Sequence, residues 1–405
     1  MLENKRKDFG IANKAVAAKK KAKENADEEL AAVKAIAAEI KEQETVVNEL
    51  KTAVDTLVRS MGNLVPDSVP IAEEEDGNRV ERTWGEPRQE DGLLNHVDMM
   101  YRLGWTDLPA GAMVAGGRGF FLREEAVLLN MALINYGLAF LTARTYTPLQ
   151  TPFFMEKDIM AECAQLDEFD EALYKVSGEG NEKYLIATSE QPISAMHRGK
   201  QYEANELPFK YAGFSTCFRK EAGSHGRDQA GIFRIHQFEK IEQFVVTVPD
   251  DDESWKAHEE MIKTSEEFYQ SLGLPFQVIN IASGSINNAA AKKLDLEAWF
   301  PASKAFRELV SCSNCTDYQS RRLDARMRKK EGDTGPRFVH MLNSTLIATE
   351  RAMCCLVETY QTPEGVNIPE VLQPFMGGIK FVPFRRPTEA DEAAAKKAKI
   401  GSKKK

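Results

Sequence analysis

Between residues 27 and 61 an apolar side chain returns every seven positions: Val33, Ile40, Val47, Val54 and Met61 on one seam, Ile36, Leu50 and Leu57 with the polar Gln43 on the other. A sustained 3.5-residue period specifies a long helix with a narrow apolar stripe, which needs a partner helix to bury it. Residues 2–61 hold no proline or tryptophan and only one aromatic residue, Phe9, so nothing interrupts the pattern. The partner expected from the sequence is residues 3–22, with the polar stretch Lys23 to Asp27 as the turn, giving an antiparallel hairpin of two helices. The arms are unequal, about 20 and about 30 residues, which would leave the seam uncovered near residues 47–61. An antiparallel hairpin normally matches its arms, so the first arm is expected to lack its beginning.

The first 23 residues carry eight basic positions, Lys5, Arg6, Lys7, Lys14, Lys19, Lys20, Lys21 and Lys23, against Glu3 and Asp8. That pattern suits phosphate contact near the tip of the hairpin, or a solvated helix face. The chain as a whole has a net charge of −9, so any polyanion must be met by such local patches rather than by a global field. Its six cysteines show no disulfide-framework spacing, which points to a reducing compartment. Cys312 and Cys315 form a single C-x-x-C pair, whereas a structural zinc site normally takes two such pairs or added histidines. The N-terminus has no apolar core of a secretion signal, and the most apolar run, Ala126 to Leu141, is interrupted by Asn130, Asn135 and Gly137. It is expected to be a buried helix rather than a membrane span.

Four regions follow from composition. Residues 1–61 form the helical arm; 62–92, with Gly62, Pro66, Pro70, Gly77 and Pro87, read as a linker; 93–384 form the globular part; 385–405 form a lysine-rich tail expected to be disordered. The globular part mixes helical stretches, Glu124 to Ala143 and Trp255 to Leu272, with a β-rich run from Phe233 to Val248 long enough for a central strand. Helices segregated from such hairpins indicate an α+β fold with an antiparallel sheet. No G-x-G-x-x-G follows a strand and no Walker A loop occurs, which disfavours the common parallel-sheet nucleotide folds.

The segment Phe214 to Phe244 reads as strand, long loop, strand. On the first strand Arg219 and Glu221 are two apart and share a face; on the second, Phe238 and Glu242 are four apart and do the same. A guanidinium that forks onto phosphate oxygens, a flat ring for a base and carboxylates for amino groups, converging on one sheet face, would suit a nucleotide. A charged hairpin whose side chains pair only across strands has the same spacing. Three further segments shift the balance: Thr188-Ser189-Glu190 after a β-like run, Glu308 three before Ser311, and Asn343-Ser344-Thr345 ahead of Glu350-Arg351 and an apolar helix, Ala352 to Thr359.

In this order, and with the helical arm and the Asn63-Leu64-Val65-Pro66-Asp67-Ser68-Val69-Pro70 stretch before them, these segments resemble the seryl-tRNA synthetases, a class II aminoacyl-tRNA synthetase family, over roughly residues 10–385. The resemblance implies an antiparallel-sheet catalytic domain preceded by a two-helix coiled-coil arm shortened at its N-terminus. It also implies activation of L-serine with ATP and Mg2+, transfer to tRNA(Ser), with tRNA(Sec) left open as a second acceptor, and a cytoplasmic setting. A homodimer is implied through the region around Pro152, which looks like the first class II motif. Carried over by position, Arg219, Glu221 and Arg351 would be catalytic. ATP would be met by Arg219, Glu221, Ile235 through its backbone, Phe238 on the adenine, Glu308, Ser311 and Arg351. Serine would be met by Thr188, Ser189, Glu190, Arg219, Glu242, Asn343 and Thr345. Magnesium, arriving with ATP, would be held at Glu308 and Ser311, and His225 and Arg227 would face the acceptor end of the tRNA. Glu350, beside Arg351, stands where relatives usually have a small or polar residue. Two other readings remain: a paralogue that activates serine without charging tRNA, and a coiled-coil scaffold with an inactive domain.

Overall fold

The structure, a computed structural model, describes residues 2–59, 61–164, 172–178, 180–221, 230–250 and 252–387. The chain divides into two compact units between Gly62 and Asn63. The first is the helical hairpin, α1 (Leu2–Lys21) and α2 (Asp27–Arg59). The turn is set by Asn25, whose side-chain oxygen accepts the Asp27 amide at 2.8 Å at the start of α2. Ion pairs Lys5–Glu39, Arg6–Glu44 and Lys19–Glu29 run in opposite order along the two helices, which makes them antiparallel. Val33, Ile36, Ile40 and Gln43 are half-buried along the seam, whereas Val47, Leu50 and Val54 are exposed. The arms of 20 and 33 residues account for this, since α1 ends its coverage near Glu44.

The second unit is built on eight strands: β1 (Arg79–Trp84), β2 (Thr147–Gln150), β3 (Phe209–Phe218), β4 (Gln237–Thr247), β5 (Phe276–Asn280), β6 (Lys292–Phe300), β7 (Ala305–Asn314) and β8 (His340–Ala348). Their order across the sheet is β1-β5-β6-β7-β8-β4-β3-β2, antiparallel throughout except for the β2–β3 pair. The helices that build the core against it are α3 (His96–Leu103), α4 (Glu125–Thr142), α5 (Glu253–Ser271) and α6 (Thr349–Thr359). This is the α+β architecture expected from the sequence.

Two expectations need correction. Residues 62–92 are not only a linker: Arg79–Trp84 is an edge strand paired with β5. The prolines and glycines fall on either side of that run, which itself contains neither and so is free to extend. The β-rich run from Phe233 begins its strand only at Gln237. Helix α4 does have the length and apolarity to cross a membrane, despite its asparagines. It is nevertheless a core helix, with Ala126, Leu129, Leu133, Ile134 and Leu141 buried. At Gly137 it comes so close to the sheet that an added Cβ would meet Ile241 and Leu346 at 3.4 Å. The tail beyond residue 387 lies outside the described residues.

Candidate active site

Strand β4 separates core from site by simple alternation. Ile241 meets α4, and the Gln243 amide donates to the Met261 carbonyl at 3.1 Å and the Ser265 hydroxyl at 3.0 Å on α5. The even-numbered Phe238, Lys240 and Glu242 turn the other way and line a cleft of about 400 Å³. Most of the residues singled out in the sequence line the same cleft: Thr188, Glu190, Arg219, Glu221, Ile235, Glu308, Ser311, Asn343, Thr345 and Arg351.

Arg219 and Phe238 meet in the manner the nucleotide reading requires. The Arg219 guanidinium carbon stands 5.2 Å from the centre of the Phe238 ring, because Phe238 pairs with Cys217 in register and Arg219 lies two residues further on. The Arg219 amide donates to the His236 carbonyl at 2.9 Å, and its Nε reaches the Ala187 carbonyl at 3.4 Å. The shared strand face expected for Arg219 and Glu221 is not the reason they converge. Strand β3 ends at Phe218, and Glu221 has a left-handed backbone, φ 51°. Glu221 is instead aimed by Arg234, whose Nη1 donates to its Oε2 at 3.1 Å.

Glu308 and Ser311 lie three apart, a spacing that on a regular strand would put them on opposite faces. They face the same cleft because Leu309 is an extra residue: Glu308 pairs with Glu297 while Val310 pairs with Leu296. A β-bulge of this kind resets the alternation. The position of Glu308 within the fold pushes its carboxyl up, but Arg351 and then Lys293, Arg219 and Arg234 more than offset that and hold it below the usual carboxylate range. It is therefore an ionised carboxylate, half-exposed to the cleft. Among the described residues no cluster of three or more His, Cys, Asp or Glu side chains is suited to a metal ion. One ionised carboxylate with a hydroxyl beside it fits magnesium, which keeps waters and takes oxygens from a phosphate substrate rather than from a protein cage.

Arg351, at the start of α6, lies with its guanidinium carbon 4.9 Å from the centre of the Phe233 ring, and its Nη1 donates to the Glu308 carbonyl at 3.3 Å. Its neighbour Glu350 is buried, accepts the Glu239 amide at 3.2 Å and takes the Thr349 hydroxyl at 3.1 Å. Burial, and next the hydrogen bond and charge of Glu239, raise its pKa well above the ordinary value.

The other end of the cleft is small and polar. Glu242 is fully buried and pairs in register with Thr345, while Asn343, two residues away, shares that face. Thr188 and Glu190 reach in from the turn that opens the helix Glu190–Ala195, which the Gln191 side chain ties down by accepting the Ala187 amide at 2.9 Å. Ser189, expected among the serine-binding residues, is not in the cleft lining. It is buried on the far side of that segment against Gly213, where an added Cβ would come within 3.2 Å of its hydroxyl. His225 and Arg227 lie outside the described residues. The sequence reading missed Phe233, Arg234, Lys240 and Gln319, all of which line the cleft. Lys240 was detectable, since the alternation that paired Phe238 with Glu242 places it between them. Gln319, which donates to Glu190 at 2.7 Å, comes from a separate short helix, Tyr318–Leu323, and left no such signal.

Residues 174–360 match the family described as the tRNA synthetase class II core domain (G, H, P, S and T). A serine--tRNA ligase of Helianthus annuus is 58% identical over 384 residues, covering 95% of this chain and 88% of the relative. The crystal structure of the cytoplasmic serine-tRNA ligase from Naegleria fowleri in complex with AMP superposes with a TM-score of 0.86 at 47% identity, covering 95% of this chain and 89% of that one. The seryl-tRNA synthetase from Pyrococcus horikoshii complexed with ATP gives a TM-score of 0.88 at 37% identity, covering 95% and 90%. With that identity along nearly its whole length and the class II core at its centre, this chain belongs to the serine--tRNA ligase family of class II tRNA synthetases.

Proposed function

We propose that this chain activates L-serine with ATP, forming seryl-adenylate and pyrophosphate, and then transfers the seryl group to tRNA(Ser). The observation that carries the reading is one continuous cleft: the Arg219–Phe238 pair stands at one end and the buried Glu242, with Thr188 and Thr345, at the other. In the first step the serine carboxylate attacks the α-phosphorus of ATP and pyrophosphate leaves. No protein nucleophile is needed, only alignment and neutralisation of charge. Arg219 would hold the α-phosphate and the serine carboxylate together. Phe238 would stack on adenine, Glu221 would accept its amino group and the Ile235 backbone would border it. Arg351 would reach the terminal phosphates. Glu308 and Ser311 would hold a magnesium ion, which when bound adds positive charge beside the phosphates. Glu242, Glu190, Thr188, Asn343 and Thr345 would receive serine's ammonium and hydroxyl. A buried pocket built to hydrogen-bond a hydroxyl rejects alanine, because its own polar groups would go unpaired. In the second step the terminal ribose hydroxyl of the tRNA attacks the carbonyl carbon of the adenylate; an ester forms, the bond from that carbon to the phosphate oxygen breaks, AMP leaves and the hydroxyl proton is released.

The hairpin would contact the tRNA through phosphates at its tip, where Lys20, Lys21 and Lys23 are exposed. The test is attachment of radiolabelled serine to total tRNA by the full chain and by a form lacking residues 1–61. The full chain is expected to attach serine and no other amino acid, and the shortened form to activate serine normally while charging at least about tenfold less efficiently, as the loss of several phosphate contacts implies. Attachment of a different amino acid, or equal charging by both forms, would overturn the corresponding part of the proposal.

A homodimer through the region near Pro152 is supported by an exposed apolar stripe on α4, with Val127, Leu128 and Met131 all 44–49% exposed, and by Met113, Val114 and Phe121 nearby in sequence. Sedimentation equilibrium should give about twice the 45.4 kDa chain mass, and a single-chain mass at micromolar concentration would count against it. A cytoplasmic location follows the relative from Naegleria fowleri.

A further inference from the structure

Lys240 is the most deeply enclosed cation of the cleft lining, and no role follows for it from the chemistry above. Its side chain and that of Glu242 are 7% and 2% exposed, and its ammonium forms an ion pair with Glu242 Oε2. The same ammonium donates to the Thr188 hydroxyl oxygen at 2.7 Å. That oxygen also receives the Glu190 amide at 3.4 Å, and the Thr188 hydroxyl in turn donates to Glu242 Oε2 at 3.4 Å.

The polarity of this small network is determined by what each group can do. An ammonium has donors only, and a hydroxyl has one donor and two acceptor sites. With one acceptor site taken by Lys240 and the other by the Glu190 amide, Thr188 is left as a donor. Glu242 receives both Lys240 and Thr188 on the same oxygen. We propose that Lys240 is a positioning residue for serine: by binding both Thr188 and Oε2 of Glu242, it locks the two side chains together and turns the other Glu242 oxygen toward the amino acid. This rests on the reading of Glu242 and Thr188 as serine-binding. Lys240 is not a catalytic residue, since it acts through these two side chains.

The geometry separates this role from simple packing. The aliphatic stem of lysine fills space that methionine fills nearly as well, whereas arginine is larger but keeps the charge and the donors. If Lys240 only packs, Lys240→Met should be the milder change and Lys240→Arg the harsher. If it positions, the order reverses. In serine-dependent ATP–pyrophosphate exchange with the full chain, Lys240→Met is expected to raise the KM for serine at least about tenfold, the effect of losing a buried charge-assisted hydrogen bond. The KM for ATP should stay within about twofold, because the nucleotide end of the cleft is untouched. Lys240→Arg is expected to recover most of the serine KM.

Should the methionine variant fail to fold in a thermal melt, Lys240→Gln carries the same test, keeping a donor for Thr188 without the charge. A wild-type serine KM in the methionine or glutamine variant, or an arginine variant worse than methionine, would overturn the inference. Absence of serine-dependent exchange in the wild-type chain would instead sink the serine reading itself, so the two failures are distinguishable.

Discussion

Replacing Arg219 by alanine is expected to lower ATP–pyrophosphate exchange about a hundredfold to a thousandfold, the scale of removing one preorganised donor from a charge-developing transition state. Arg219 stands where the phosphate chemistry would occur, with its guanidinium carbon 5.2 Å from the Phe238 ring centre. The fold should survive the change. The side chain is only half-buried, and the interactions lost are the long Nε contact to the Ala187 carbonyl and the contact with the ring. Together they are worth about 1–2 kcal/mol, or a few degrees in Tm for a domain of this size. Lysine at this position should recover only part of the activity, because it supplies the charge without the planar fork. Exchange at the wild-type rate in the alanine variant would remove Arg219 from the phosphate site.

The second large effect concerns acid. His197 and His258 are buried, and burial above all lowers the pKa of each to about 4. For His197 the nearby Lys200 adds to the lowering; for His258 the Cys312 carbonyl, which accepts its Nε2 proton at 3.0 Å, partly resists it. Both rings are therefore neutral in the native state down to about pH 4, whereas in the unfolded chain they take up a proton below about pH 6.5. Between those values the unfolded state binds more protons. The stability these rings contribute is complete above about pH 6.5 and is lost as the pH falls toward 4, up to about 3 kcal/mol for each.

Other groups oppose this trend. Asp295, raised to about 7 chiefly by burial, and Glu350, raised well above the ordinary range, hold protons in the native state and favour it on the acid side. The informative measurement is thus a difference: chemical denaturation of the wild type against His197→Gln with His258→Gln, from pH 7.5 to 4.5. The double variant should gain on the wild type as the pH falls. A difference that does not change with pH would show that neither ring is held neutral by the fold.

The serine end of the cleft shows where reading along the strand succeeds and where it stops. Glu242 was legible because it shares a strand face with Phe238, whereas Asn343 and Thr345 came only from the family resemblance. Glu308 and Ser311 were found only through the order of their segments, since their spacing is wrong for a regular strand until the bulge at Leu309 is known. The placement of Ser189 could not be read, because a short turn carries no periodic signal: its neighbours Thr188 and Glu190 line the cleft while its side chain packs against Gly213.

By itself, the sequence determined the helical hairpin, the α+β class, the long core helices and the family, because periodicity and ordered motifs are properties of the chain read locally. Only the tertiary structure decided that Arg79–Trp84 joins the sheet, that Arg234 aims Glu221, that Glu350 is buried with a raised pKa, and that Lys240 sits enclosed between Thr188 and Glu242. Those outcomes depend on partners far apart in the chain, on an inserted strand residue and on the depth at which a charge is buried, and none of these is carried by the spacing of letters along one segment.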